Sequence, residues 1–351
     1  MSRDQIIKIA MVVCVAVLLC AVIVTSTGVV NFNGIGGYNN AEMYTAGDTE
    51  ITGEIRNIDI NWTSGKVTVA IHTDETVMLR ESAKRSLSED EKLQWWLDGD
   101  TLRVQFAKPG IRWNMPEKML TLTLPQGAEL KNAAIHTTSG DIEIPEMKAG
   151  ELLVLDTTSG DIRANAEAKN AEINTTSGDQ QLKITGKSDI LRINSTSGSI
   201  GIEAEGAEIL EAASTSGGIS ITADDGGAVK ANSTSGNIFV MLGKMNSLDI
   251  DATSGSVTAA LPAEPGFTAH VGTTSGTFNS DIALTRNGDD YVCGNGSVKV
   301  SIDTTSGNIR MEELKKYPAV FCQTSAFITA GYGYNTNMFR KEQKPEGEER
   351  E

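Results

Sequence analysis

Large rings are scarce in this chain of 351 residues: Phe, Trp and Tyr together make up 5% of it. That shortage argues against a conventional core built on stacked aromatics and points to a thin core of Ile, Leu, Val and Ala. Cations are outnumbered, with 30 Lys and Arg against 46 Asp and Glu and a formal net charge of −16. A surface this acidic repels phosphate backbones, which excludes nucleic acid as a partner, and it disfavours anionic lipid headgroups. Histidine occurs three times, as His72, His136 and His270, far apart in sequence, and no CxxC pair or His/Cys cluster suggests zinc. No Ser/His/Asp or Cys/His set stands out either. The sequence therefore offers no catalytic residue, no cofactor-binding residue and no metal ligand, calls for no cofactor, and reads as non-enzymatic.

Long hydrophobic runs are limited to one, residues 9–24 (IAMVVCVAVLLCAVIV), continued without charge to Val30. About 20 residues cross a hydrocarbon core, so residues 9–30 are expected to form a transmembrane helix. Arg3 and Lys8 precede the run. By the positive-inside tendency they put residues 1–8 in the cytoplasm and everything after the helix outside the cell membrane. A cleaved signal peptide is the alternative, although TSTGVVNFNG contains no clear A-x-A site. A lipoprotein reading of Cys20 fails because the residue before it is Leu19 rather than a small one. Cys14 and Cys20 sit inside the run as small hydrophobes. Cys293 and Cys322 remain outside it, and the sequence leaves open whether they pair.

What the chain has in abundance is a repeat. Thr-Ser-Gly occurs ten times, with its glycine at Gly65, Gly140, Gly160, Gly178, Gly198, Gly217, Gly236, Gly255, Gly276 and Gly307. From Gly140 onward the gaps are 20, 18, 20, 19, 19, 19, 21 and 31 residues, the signature of stacked units. Within one unit, LRINSTSGSIGIEAEG, the apolar residues alternate as Leu191 and Ile193, then Ile200 and Ile202, which is the period of strands. The expected fold is all-β: a repetitive β-solenoid, β-helix-like, with about 19 residues per coil. A propeller is the competitor, but its blades need about 40–45 residues. By parity the Ser of each triplet is expected to face inward and its Thr outward, and the Gly to supply a corner with positive φ. Stacking at about 4.8 Å gives a rod of roughly 40 Å from Gly140 to Gly307, with Gly307 near its end.

The flanks follow from where the triplet stops. Residues 31–50 read as a linker, and residues 51–132 as degenerate coils or a cap carrying Trp95 and Trp96. Residues 133–312 form the triplet-repeat solenoid, whose last long gap holds turn dipeptides Asn287-Gly288 and Asn295-Gly296 suited to a hairpin. Residues 313–339 would be a C-terminal cap, and residues 340–351 a charged disordered tail. The recurring TTSGDI and STSGNI, the stretch WLDGDTLRVQF, the lead-in LTLTLPQGAEL and the final IDTTSGNIRM resemble the bacterial putative-adhesin domain of unknown function, over roughly residues 50–312. The resemblance implies a repeat fold common in membrane-anchored envelope proteins and brings no catalytic residues with it.

Polar columns are the constellations that carry chemistry. Before the triplet an Asx residue recurs as Asn61, Asp156, Asn174, Asn194, Asn232, Asp251 and Asp303; after the glycine stand Asp141, Asp161, Asp179, Asn237 and Asn308. Stacked carboxylates could hold calcium, but turn chemistry explains the columns without metal. Thr138, Thr158, Thr176, Thr196, Thr215, Thr234, Thr253, Thr274 and Thr305 would form an outward hydroxyl ladder able to order water or contact glycans. Some β-helices cleave acidic polysaccharides with a basic residue beside an Asp cluster, whereas Lys183, Arg192, Lys230 and Lys244 are scattered singly. The leading expectation is a membrane-anchored scaffold for adhesion or binding at the cell envelope, its partners the membrane and an envelope glycan or protein. An envelope-stress sensor or accessory subunit acting through a membrane partner is the first alternative, and a polysaccharide-active enzyme the second.

Overall fold

The computed structural model describes residues 38–110 and 114–314. The runs expected to be a cytoplasmic tail, a transmembrane helix and a charged tail, and Cys322 with them, lie outside the described residues. Among the described residues all regular structure is β apart from two single 3₁₀ turns, and no helix is long and apolar enough to cross a membrane.

The alternation of side chains decides the fold. Residues such as Ile200, Ile202 and Ala204 are buried while Gly201, Glu203 and Glu205 between them are not. Neighbouring strands pair in parallel so that like meets like. Leu120, Val67, Ile142, Ile162, Gln180, Ile200, Ile219, Ile238, Val257, Ile309 and Phe278 are successive partners in one column. Each belongs to one rung of a stack, a solenoid-like arrangement of eleven rungs. Ten steps at the usual strand spacing of about 4.8 Å make it roughly 48 Å long. A rung alone buries too little to offset the ordering of its backbone, at about 1–2 kcal/mol per residue, so stability comes from rung on rung.

Order along the stack differs from order along the chain at both ends. The strand Asn57–His72 lies between Thr101–Gln105 with Lys118–Pro125 on one side and Leu130–Ser159 on the other. Val77–Ala83 and Gln94–Asp98 then close that end in antiparallel fashion, followed by the short strands Thr49–Ile51 and Thr45–Ala46. At the far end, Val298–Ser306 and Ile309–Glu313 slot between the rung of Ser247–Ser254 and that of Gly266–Ser275. The expectation that Gly307 stands at the end is therefore corrected: its rung is interior, and the Gly276 rung is outermost. The cause is the hairpin of Thr285–Asn287 and Asp290–Gly294. It folds back antiparallel onto the start of Gly266–Ser275, so the following segment returns to an edge where it is paired on both sides.

Candidate functional site

The triplets line up along one corner of the stack, and the glycine there answers to its neighbour rather than to its own torsion. A Cβ on Gly178, Gly198, Gly236 or Gly307 would sit 1.9–2.0 Å from the carbonyl oxygen of the glycine in the adjacent rung. A real Cβ contact is never that short, so any side chain would force the rungs apart. Positive φ, the expected reason for glycine, holds clearly only at Gly65 (103°), while Gly178 lies near the extended limit at 158°. The other triplet glycines are absent from the positive-φ set, and the expectation is corrected accordingly.

Parity also changes at the corner. The triplet Ser, expected inside, is exposed at Ser139, Ser159, Ser177, Ser197 and Ser216, because the chain bends within the triplet. The inward hydroxyl belongs instead to the residue before the triplet: Thr137, Thr157, Thr175, Ser195, Ser214, Ser233 and Thr304 are buried. Most of these hydroxyls donate to a glycine carbonyl of the corner. Thr137 reaches Gly140 O at 2.6 Å, Thr157 the same oxygen at 3.2 Å, and Thr304 Gly255 O at 3.2 Å. Thr175 and Ser195 are exceptions whose hydroxyls make no such bond. Sequence reasoning missed this column, although the doubled hydroxyl in TTSG and STSG is its signal.

The Asx columns have structural duties of the same kind. The Oδ1 atoms of Asp141, Asp161 and Asp179 accept the backbone N–H of the next rung at 2.8–3.0 Å, and Asn237 and Asn308 do the same. Before the triplet, Asn174 donates to Asp156 at 2.8 Å and Asn194 to Asn174 at 3.0 Å, while His136 Nδ1 lies 2.9 Å from Asp156. Burial, with Asp156 close by, pushes the carboxyl of Glu172 up. Among the described residues no group of three or more His, Cys, Asp or Glu is arranged to hold a metal ion.

Outside the corner the structure keeps the remaining candidates apart. Arg192 is engaged by Glu211 at 2.8 Å and Lys230 lies 3.8 Å from Asp249. His72 bonds the Thr76 carbonyl, and His270 sits 3.0 Å from Asp290 in the far-end hairpin. Trp95 packs against the core, whereas Trp96 stacks edge-on to Tyr44. Cys293 is buried and its thiol pKa is raised by that burial. A cavity of about 270 Å³ opens among Asp225, Lys244, Pro262, Pro265 and Phe267, where no set of reactive groups converges.

What the corner does present outward is two rows of neutral hydroxyls, one Thr and one Ser per triplet. Thr138, Thr158, Thr176, Thr215 and Thr274 are exposed, and Thr196, Thr234, Thr253 and Thr305 are half-buried. At one strand spacing per step, this edge can offer hydrogen bonds to an extended polar ligand.

Comparison with curated proteins finds no significant match. Among solved structures, a "putative adhesin" from Bacteroides fragilis is 16% identical, covering 79% of this chain and 100% of that one, with a TM-score of 0.38. Another "putative adhesin", from Parabacteroides distasonis, is 12% identical, covering 77% and 97% of the two chains, with a TM-score of 0.44. The family model described as Toastrack DUF4097 matches residues 55–312, from just before Asn57–His72 to within one residue of the end of Ile309–Glu313, and the chain belongs to that family.

Proposed function

We propose that this chain is a non-catalytic scaffold anchored in the cell membrane by residues 9–30, with residues 1–8 in the cytoplasm. Its rungs, each of about 19 residues, stand outside and present a repeated surface to an envelope glycan or protein. The observation that carries this reading is the hydroxyl edge: every triplet places an uncharged Thr and Ser at the same corner of successive rungs. A repeated neutral edge suits an extended ligand read along its length, whereas catalysis needs a few unlike groups brought to one point. The uncharged run before Tyr38 supports the anchor.

The test uses full-length protein in native membranes. A reporter fused after Glu351 should be active outside the membrane, and activity only in the cytoplasm would contradict the anchor. Binding to a panel of envelope glycans should fall when Thr176→Ala, Thr215→Ala and Thr234→Ala are combined, with thermal melting unchanged. Binding that survives the triple change would remove the hydroxyl edge from the account, and released sugar products would replace it with the polysaccharide-cleaving alternative.

A further inference from the structure

All four tryptophans of the chain fall between Trp62 and Trp113 in sequence, and the strands that carry Trp62, Trp95 and Trp96 form the end nearest the N-terminus. There an aromatic cluster sits on the outer face of the sheet. The rings of Tyr38 and Tyr44 are 4.8 Å apart, and those of Tyr44 and Trp96 5.7 Å apart in an edge arrangement. All three side chains are half-buried, and Met43 beside Tyr44 is 52% exposed. The opposite end has an aromatic pair of its own, Phe278 and Tyr291 at 4.9 Å, but these rings pack against the core, and the outermost corner there, Thr274 to Thr277, is hydroxyl and glycine.

Chain length decides what this patch can meet. Seven residues, 31–37 (NFNGIGG), separate the apolar run from Tyr38, and none of them is charged. Fully extended they reach roughly 25 Å, so an anchored chain holds the cluster close to the bilayer surface. Tyr and Trp favour that zone, where the ring lies among apolar groups and the polar tip stays wet. With a net charge of −16, the protein is not drawn to anionic headgroups, so contact must come from uncharged rings.

We propose that the patch of Tyr38, Met43, Tyr44 and Trp96 rests on the headgroup–acyl boundary of the membrane that anchors the chain, fixing the base of the stack against the lipid surface. This rests on the anchor reading above. Because the contact is made by uncharged groups, it should be insensitive to salt.

The experiment places full-length protein in phosphatidylcholine vesicles containing shallow spin-labelled lipid. A fluorophore is attached at Met43→Cys, or at Thr277→Cys on the far end, in a chain otherwise free of cysteine. The label at position 43 should shift to the blue and lose most of its emission at low and high salt alike, while the label at 277 stays aqueous. Adding Tyr44→Ser and Trp96→Ser should restore emission at position 43. Carbonate washing separates the two readings. Protein that stays in the vesicles with an unquenched label at 43, or with quenching that ignores the double substitution or collapses in salt, overturns the patch and leaves the anchor. Protein released by carbonate overturns both.

Discussion

The interior rungs from Gly140 to Gly255 and the end built around Trp62 and Lys118 solve one problem with different materials. Inside, where each rung meets a copy of itself, the core is aliphatic and the corner is glycine. At the end the core turns aromatic and ionic. Lys118 is fully buried, with its ammonium on Glu81 at 2.7 Å, on the Glu91 carbonyl at 2.7 Å and on the Phe106 carbonyl. It also lies over the rings of Trp62 and Phe106 at 5.0 and 4.3 Å. Burial pushes its amine pKa down, yet its neighbours are all acceptors, which hold the proton. Lys118 occupies the corner position paired with Gly65. It can carry a side chain there because its outer neighbour is the antiparallel strand Val77–Ala83 and not another corner. Glycine is thus demanded by the rung beneath at Gly65 and at every triplet from Gly160 onward, a Cβ on Gly140 being merely tight at 3.3 Å from the Gly65 carbonyl, and where no corner lies beneath, the demand lapses.

Breaking the interior should have the largest effect. Gly198→Val drives a branched side chain into the Gly178 carbonyl and should cost more than about 4 kcal/mol, or abolish folding, in denaturant titrations followed by circular dichroism. Gly307→Val should match it, being interior, while Gly276→Val in the outermost rung should cost less, since only one neighbouring rung is disturbed. Equal losses at Gly307 and Gly276 would argue against the inserted order.

Breaking the end is next. Lys118→Met leaves Glu81 buried without its partner and should cost about 3–5 kcal/mol; adding Glu81→Leu should recover much of that. A double variant no better than the single would show the pair to be needed for packing beyond its charge. A smaller effect is expected at Thr157, whose hydroxyl serves one corner carbonyl: Thr157→Val should cost about 1 kcal/mol, against nearly nothing for the exposed Thr158→Ala.

Acid should sharpen the contrast by a modest amount. The Arg85 guanidinium, with the Ser88 backbone N–H, holds the Glu91 carboxyl well below the usual carboxylate range. A depressed carboxylate contributes stability that is present above its unfolded pKa, about 4.3, and is lost as pH falls below it. Hydrogen exchange in mild acid should therefore rise at residues 85–92 before it rises in the neutral corner ladder. Simultaneous loss would contradict this.

Much of the stack was legible because alternation and spacing are local. Ile193, Ile200, Ile202, Ile219 and Ile238 are buried where strand parity puts them. Parity failed at Ser197 because it assumes an unbroken strand, and the bend falls inside the triplet. Stacking order failed at Gly307 because a period gives distance along the chain and not which edge the chain returns to. Lys118 carried no signal at all: the residues around it hold no triplet, and its place beside Gly65 arises only from pairing across more than fifty residues. The hydroxyl edge was legible in the outward Thr column, but the Ser row beside it was not.

The central claim is that the triplet glycines are fixed by contact with the next rung, and one pair of substitutions tests it. Gly217 has no positive φ, but its Cβ would stand 2.1 Å from the Gly198 carbonyl; Gly288 has a φ of 64° and nothing within 4 Å. If contact rules, thermal melts should show Gly217→Ala losing far more stability than Gly288→Ala, whose left-handed strain costs only about 1–2 kcal/mol. A Gly217→Ala chain that melts with the parent protein, while Gly288→Ala falls, would contradict the account.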